Sequence, residues 1–122
     1  MSYWNSDSFG KLVDCVIVKV TEVNNDSVEF ELQDGRKAVL YHQQDCCESV
    51  YLEATIGNVD DIMNSPVLRV SEEDYDGGPE SEYEESYMWS CFRVGTAKGS
   101  VLFRFYGSSN GYYSEDVSFR FA

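Results

Sequence analysis

The stretch SVEFELQDGRKAVLY, residues 27–41, decides the fold class. In its first half, Val28, Phe30 and Leu32 alternate with polar residues, which is the period of two expected of a strand with one buried face. The DG dipeptide that follows is typical of a tight hairpin turn, and the apolar run after it predicts a second strand. The stretch therefore predicts an antiparallel hairpin.

Further strands are predicted on both sides of this hairpin. The preceding run, DCVIVKVTEV, is rich in β-branched residues, so residues 13–41 together predict a three-stranded antiparallel meander. The later runs VYLEA, VLRVSEE, YMWSCFRVG and SVLFRFYG also read as strands. Between the first two of these, NVDDIMNSP predicts a short helix that begins after an N-cap at Asn58 and ends at Pro66.

The C-terminal part predicts one more hairpin. SVLFRFYG and VSFRF both alternate, and Asn110 and Gly111 lie between them as a turn signal. No repeat or linker interrupts the chain, so residues 1–122 are expected to form a single domain. We predict a mainly β (α+β) fold: a single antiparallel twisted sheet or a partly open barrel with one short helix.

Composition and hydropathy indicate the class of protein and its cellular compartment. The chain has 122 residues, is 43% hydrophobic and carries a net charge of −13, which predicts a folded domain with an acidic surface. No run reaches the roughly 18 apolar residues of a membrane span, and the first residues lack the pattern of a signal peptide. We therefore expect a cytoplasmic protein whose four cysteines are reduced thiols.

The stretch YHQQDCCESV, residues 41–50, holds the only histidine and two adjacent cysteines. His42 and Cys46 are four residues apart and could share a metal ion on a helix, but adjacent cysteines in extended backbone point to opposite sides. A cysteine nucleophile is disfavoured by the acidic surroundings, which oppose a thiolate. We predict no metal and no catalysis here; one cysteine is expected in the core and the other exposed, with His42 hydrogen-bonded locally.

The strongest functional signal is an acidic segment, SEEDYDGGPESEYEES, residues 71–86. Without its eight carboxylates the net charge of −13 would be −5. Carboxylates interleaved with tyrosines can imitate the charge of a nucleic-acid backbone and bind a basic protein, whereas the plainer interpretation is a solubilising loop. The candidate partner-binding residues are Glu72, Glu73, Asp74, Asp76, Glu80, Glu82, Glu84 and Glu85.

Direct binding to nucleic acid or anionic lipid is disfavoured, because phosphate binding needs clustered cations and the nine basic residues are scattered. The acidity indicates basic partners instead.

A second candidate site lies in FYGSSNGYYSED, residues 105–116. Its tyrosines could stack on a base or sugar, or they could simply cover the flank of a hairpin turn. As a small-ligand site it would comprise His42, Asp45, Tyr106, Asn110, Tyr112 and Tyr113.

Three motifs carry a resemblance. LYHQQDCCESVYLE, MWSCFRV with Trp89, and FYGSSNGYYSEDVSF together resemble a family of small phage and prophage proteins whose domain is of unknown function. The resemblance runs from about residue 39 to about residue 119, and the acidic segment lies in its divergent middle. It carries over no catalytic residue, but it implies a phage context, in which small acidic proteins often counter host defence.

The residues and the resemblance together favour a non-enzymatic counter-defence protein in the host cytoplasm. We expect it to bind and inhibit a basic, nucleic-acid-binding defence complex, such as a CRISPR effector or another nuclease, without a cofactor. The alternative is a small-ligand binder that sequesters a nucleotide immune signal. A metal-dependent enzyme has the least support, and the oligomeric state is left open.

Overall fold

The predicted meander is present as three antiparallel strands: β1 (Ile17–Val23), β2 (Ser27–Leu32) and β3 (Lys37–Tyr41). The structure is a computed structural model that describes residues 9–82, 85–111 and 114–121. The β2–β3 turn places Gly35 at a φ of 93°, a value that side chains other than glycine rarely adopt. The DG signal therefore marks the turn that sets the register of this hairpin.

The middle of the chain also follows the prediction. β4 (Ser49–Ile56) and β5 (Arg69–Glu73) flank a four-residue 3-10 turn, Val59–Ile62. The Asn58 side chain accepts a hydrogen bond from the Asp60 amide at 3.0 Å, which confirms the predicted N-cap. The helix that was expected to run to Pro66 is instead a single 3-10 turn, which ends at Ile62 and buries that residue.

The remaining strands are β6 (Ser86–Thr96), β7 (Gly99–Ser109) and β8 (Ser118–Phe121). The eight strands of the described residues form two antiparallel sheets of four. The first sheet has the order β1-β2-β3-β8 and the second has the order β4-β7-β6-β5. The mainly β class is confirmed, and its strands divide between two sheets rather than lying in a single one.

The predicted C-terminal hairpin between β7 and β8 is wrong. β7 is hydrogen-bonded to β4 on one edge and to β6 on the other, so neither edge is open to β8. β8 instead crosses to the first sheet and pairs with β3, where Ala38 faces Phe121 and Leu40 faces Phe119. Asn110 and Gly111 therefore begin a crossover between the sheets.

The core lies between the inner faces of the two sheets. Phe30 of the first sheet meets Phe103 of the second edge to face, with ring centroids 5.5 Å apart. Phe9, just before β1, packs in the same way against Phe92 and Phe119 at 5.4 and 5.3 Å. All five rings are almost fully buried, so the two sheets share one hydrophobic core.

Candidate functional site

Most of the acidic segment is held against the second sheet. Its first residues form β5, and residues 74–82, which we call the acidic strap, run across the outer face of this sheet. Two hydrogen bonds hold the strap's backbone: the Glu80 amide donates to the Tyr106 hydroxyl at 3.0 Å, and the Trp89 indole donates to the Gly78 carbonyl at 2.9 Å. The strap is therefore an ordered part of the fold.

An aromatic cluster lies beneath the strap. Tyr106 is at its centre, only 1% exposed, with its ring centroid 4.6 Å from that of Trp89 and 6.2 Å from that of Tyr87. Trp89 also meets Tyr75 of the strap edge to face at 5.0 Å. Rings on the strap and rings on the sheet thus pack together as a second, outer hydrophobic layer. The members of this cluster are Tyr51, Tyr75, Tyr87, Trp89 and Tyr106.

Arg104 of β7 adds a cation to this cluster. Its guanidinium lies 4.5 Å from the centroid of Tyr75 and 5.7 Å from that of Trp89. Its Nε donates to Glu53 at 2.7 Å, and this hydrogen bond raises the pKa of Arg104. Aromatic ring faces and a carboxylate together attract a cation, and in this chain Arg104 is the cation bound there. The arrangement fixes Tyr75, and with it the start of the strap.

Several of the carboxylates predicted to bind a partner take part in anchoring. Glu73 forms two hydrogen bonds with Arg93, at 2.5 and 3.3 Å, which lower the pKa of Glu73. Asp76 accepts from the Tyr87 hydroxyl at 3.2 Å, an interaction that raises the pKa of Tyr87. Glu80 accepts a hydrogen bond from the hydroxyl of Tyr51. These side chains define the shape of the acidic surface as well as its charge.

Other predicted carboxylates are directed to solvent. Asp74, Glu82 and Glu85 are exposed and make no hydrogen bond or ion pair with any other described residue. Glu72 is exposed on β5, and Glu84 lies outside the described residues. A charged surface is thus presented on an anchored backbone.

The corner between β3 and β4 is built around a buried carboxylate, Glu48. Its Oε2 lies 2.6 Å from Nε2 of His42 and accepts from the Asp45 amide at 2.9 Å, while its Oε1 accepts from the Cys46 amide at 2.9 Å. The other ring nitrogen of His42, Nδ1, lies 2.6 Å from the Asp116 carbonyl in the β7–β8 crossover. The predicted local hydrogen bonding of His42 is confirmed by its contact with Glu48. Because His42 follows β3 of the first sheet and Glu48 precedes β4 of the second, this contact connects the two sheets.

Glu48 is ionised in this environment. Its burial opposes the charged form and raises the pKa, but the hydrogen bonds from the Cys46 amide, the His42 ring and the Asp45 amide outweigh burial. The pKa of Glu48 is consequently lowered to about 2. A carboxylate with this many donors is a structural anion, and no acid or base chemistry is required to explain it.

The two adjacent cysteines depart from the prediction. The sulfur atoms of Cys46 and Cys47 lie next to each other and both residues are exposed, so the expectation that one of the two cysteines is buried is wrong. In extended backbone their side chains would point to opposite sides, but here both lie in a bend. Cys15 and Cys91 are free thiols, as expected.

The family follows from the extent of the match. A family model described as a domain of unknown function, DUF7448, matches residues 9–119. The chain belongs to the DUF7448 family. The match covers β1 to β7 and the first two residues of β8. It also covers the acidic strap and the Glu48 corner. No curated protein and no solved structure matches the chain.

The alternative ligand residues of this DUF7448 domain are placed in different surroundings. Tyr106 is buried beneath the strap, so its ring cannot stack on a ligand in this structure, and the His42 side chain is only 6% exposed. Asp45 and Asn110 are exposed, while Tyr112 and Tyr113 lie outside the described residues. Among the described members of this set, Asp45 and Asn110 are thus accessible to a ligand, whereas Tyr106 and His42 are not.

Among residues 9–82, 85–111 and 114–121, no group of three or more His, Cys, Asp or Glu side chains is placed to hold a metal ion. In the same part of the chain, no helix has the length and apolar character needed to cross a membrane.

Sequence reasoning missed the residues that anchor the strap and the corner. Tyr51, Glu53 and Arg104 were assigned no role, although aromatic and charged residues at outward-facing positions of neighbouring strands can indicate a second covered face. Glu48 was also missed. The sequence feature that could have indicated Glu48 is its position six residues after the only histidine, in a loop that contains no lysine or arginine.

Proposed function

We propose that this chain is a non-enzymatic counter-defence protein of phage type, which binds and inhibits a basic, nucleic-acid-binding defence protein in the host cytoplasm. The acidic strap and the adjoining end of β5 form the binding surface. Their carboxylates occupy positions on the partner that nucleic-acid phosphates would otherwise take. This interaction requires neither catalysis nor a cofactor.

One observation carries the proposal: the carboxylates are exposed on a backbone that is anchored from below. Gly78 and Glu80 are tied to Trp89 and Tyr106, while Asp74 and Glu82 on the same strap are directed to solvent. A solubilising loop would need no such anchoring. A surface that must match the spaced cations of a nucleic-acid-binding cleft gains affinity from being preorganised.

The net charge supports the same partner class. A protein with a charge of −13 is attracted electrostatically to surfaces that bind nucleic acid and is repelled by nucleic acid itself. Such association is fast and depends strongly on salt.

The test uses two variants with the same change in net charge. In the first, Asp74→Asn, Glu82→Gln and Glu85→Gln neutralise three exposed carboxylates on and beside the strap. In the matched control, Asp26→Asn, Glu29→Gln and Glu31→Gln neutralise three carboxylates elsewhere. Proteins are captured from host lysate on each immobilised variant at low and high salt, with double-stranded DNA as competitor, and are identified by mass spectrometry.

We expect the native chain to capture a nucleic-acid-binding protein that DNA displaces and high salt releases. Because an exposed ion pair contributes about 0.2–1 kcal/mol, the strap variant should lose on the order of tenfold or more in affinity for that protein, and the control should not. Equal binding by the two variants, or a captured protein that DNA does not displace, would refute the proposal.

A further inference from the structure

His42 is in an unusual position for a neutral histidine, because both of its ring nitrogens face acceptors. Nε2 lies 2.6 Å from the ionised Glu48 carboxylate, and Nδ1 lies 2.6 Å from the Asp116 backbone carbonyl. A carbonyl oxygen and a carboxylate can only accept hydrogen bonds. Neutral imidazole has a single N–H, so it can satisfy one of these two partners but not both.

We propose that His42 is held as the imidazolium cation and forms a proton-dependent clasp between the two sheets. One N–H of the ring binds Glu48 at the start of β4 in the second sheet. The other binds the crossover that leads into β8 of the first sheet. The ring itself follows β3, so a single side chain connects three segments at this end of the sandwich.

The surrounding charges favour the cation. The ionisable groups on the elements around the ring are Asp45 and Glu48 in its own loop, Lys37 on β3, Glu53 on β4, Glu115 and Asp116 in the crossover, and Arg120 on β8. The Arg120 guanidinium lies over the neighbouring Tyr41, 5.1 Å from its centroid. Carboxylates therefore outnumber cations around the ring, and opposite charge stabilises an imidazolium.

Loss of the second proton has a defined structural consequence. One acceptor would then face a nitrogen lone pair at a distance that suits only a hydrogen bond, and a buried acceptor without a donor is costly. The clasp is closed at lower pH and opens as the pH rises. Because the ionised Glu48 is the stronger acceptor, the remaining N–H stays with Glu48, so opening breaks the contact with the Asp116 carbonyl and loosens the crossover that leads into β8.

The protonation state can be read directly, because His42 is the only histidine in the chain. Two-dimensional NMR that correlates the ring nitrogens with the ring carbon-bound protons distinguishes the imidazolium from both neutral tautomers. At pH 7 we expect both nitrogens to show the shift of a protonated site. A ring with one unprotonated nitrogen at pH 7 would overturn the proposal.

Amide exchange tests the clasp itself. After correction for the intrinsic effect of pH, protection of the β8 amides that pair with β3 should fall at least about tenfold as the ring loses its second proton, whereas the Gly35 amide in the β2–β3 turn should not respond. The Glu48→Gln variant should lose the ring proton at a lower pH, and the matched Asp45→Asn variant, which removes a nearby charge but no hydrogen bond to the ring, should shift that pH by less. Protection that does not follow the protonation of the ring would show that no clasp exists.

Discussion

The outer faces of the two sheets differ in what covers them. The outer face of the first sheet is open to solvent and mixes charges of both signs: Lys19 lies 3.9 Å from Glu31, and Lys37 is paired with Glu31 across the next strand. The outer face of the second sheet carries Trp89 and Tyr106 and is covered in part by the acidic strap.

This difference shows how a domain with two small sheets can present a shaped acidic surface. On the open face, neighbouring charges pair with one another and little net charge remains. On the covered face, aromatic rings hold a segment in place and leave several of its carboxylates directed to solvent. The same architecture thus provides one face typical of an ordinary half-buried sheet and one face with exposed carboxylates on an anchored backbone.

The largest expected effect concerns the core that both sheets share. The Phe103→Ala substitution removes a fully buried ring from between the sheets, and we expect it to lower the free energy of unfolding by about 3–5 kcal/mol. Urea denaturation followed by tryptophan fluorescence measures this loss. A loss below about 1 kcal/mol, or separate transitions for the two sheets, would show that they do not fold on a common core.

A further effect is expected at the corner that connects the two sheets. The pKa of Glu48 is lowered from 4.5 to about 2, so the stability that this carboxylate contributes is fully present above pH 4.5 and is lost as the pH falls towards 2. The Glu48→Gln variant should be less stable than the native chain at pH 7 and should lose less on acidification. Urea midpoints at pH 7, 4.5 and 2.5 measure both slopes. Parallel slopes would contradict the role of Glu48.

The smallest effect gives the most direct comparison of the two outer faces. Tyr106→Phe removes the hydroxyl that accepts from the Glu80 amide beneath the strap, and it should cost about 1 kcal/mol. Tyr41→Phe removes a hydroxyl from the open face of the first sheet and should change stability by less than about 0.5 kcal/mol. Thermal or urea denaturation of the two variants measures the difference. Equal losses would mean that the strap is not anchored through Tyr106.

The strands were predictable because each carries a local signal. β2 and β3 are an alternating pair around a DG turn, and Asn58 caps its 3-10 turn as the sequence indicates. The pairing of β7 and β8 was not predictable from local signals, since Asn110 and Gly111 favour a turn without specifying which strand follows it as a neighbour. The pairing partner of β8 depends on β4 and β6, because these strands already occupy both edges of β7.

The candidate site was predictable in composition but not in geometry. The acidic run was visible as a cluster of charges, but the contacts that order it come from residues distant in sequence, such as Arg104 over Tyr75 and Trp89. The Glu48 corner depends in the same way on Asp116, far along the chain from His42. Interactions of this kind leave no periodic pattern in a single sequence.

The crossover from β7 to β8 also has a consequence for synthesis on the ribosome. β3 is made early, but the strand that covers its second edge is the last of the eight to emerge. Until then the nascent meander presents an unpaired edge to neighbouring chains, which is a route to aggregation. The charged residues Lys37 on β3 and Glu29 and Glu31 on β2 therefore have an additional use, since charges beside an open edge discourage pairing with another chain.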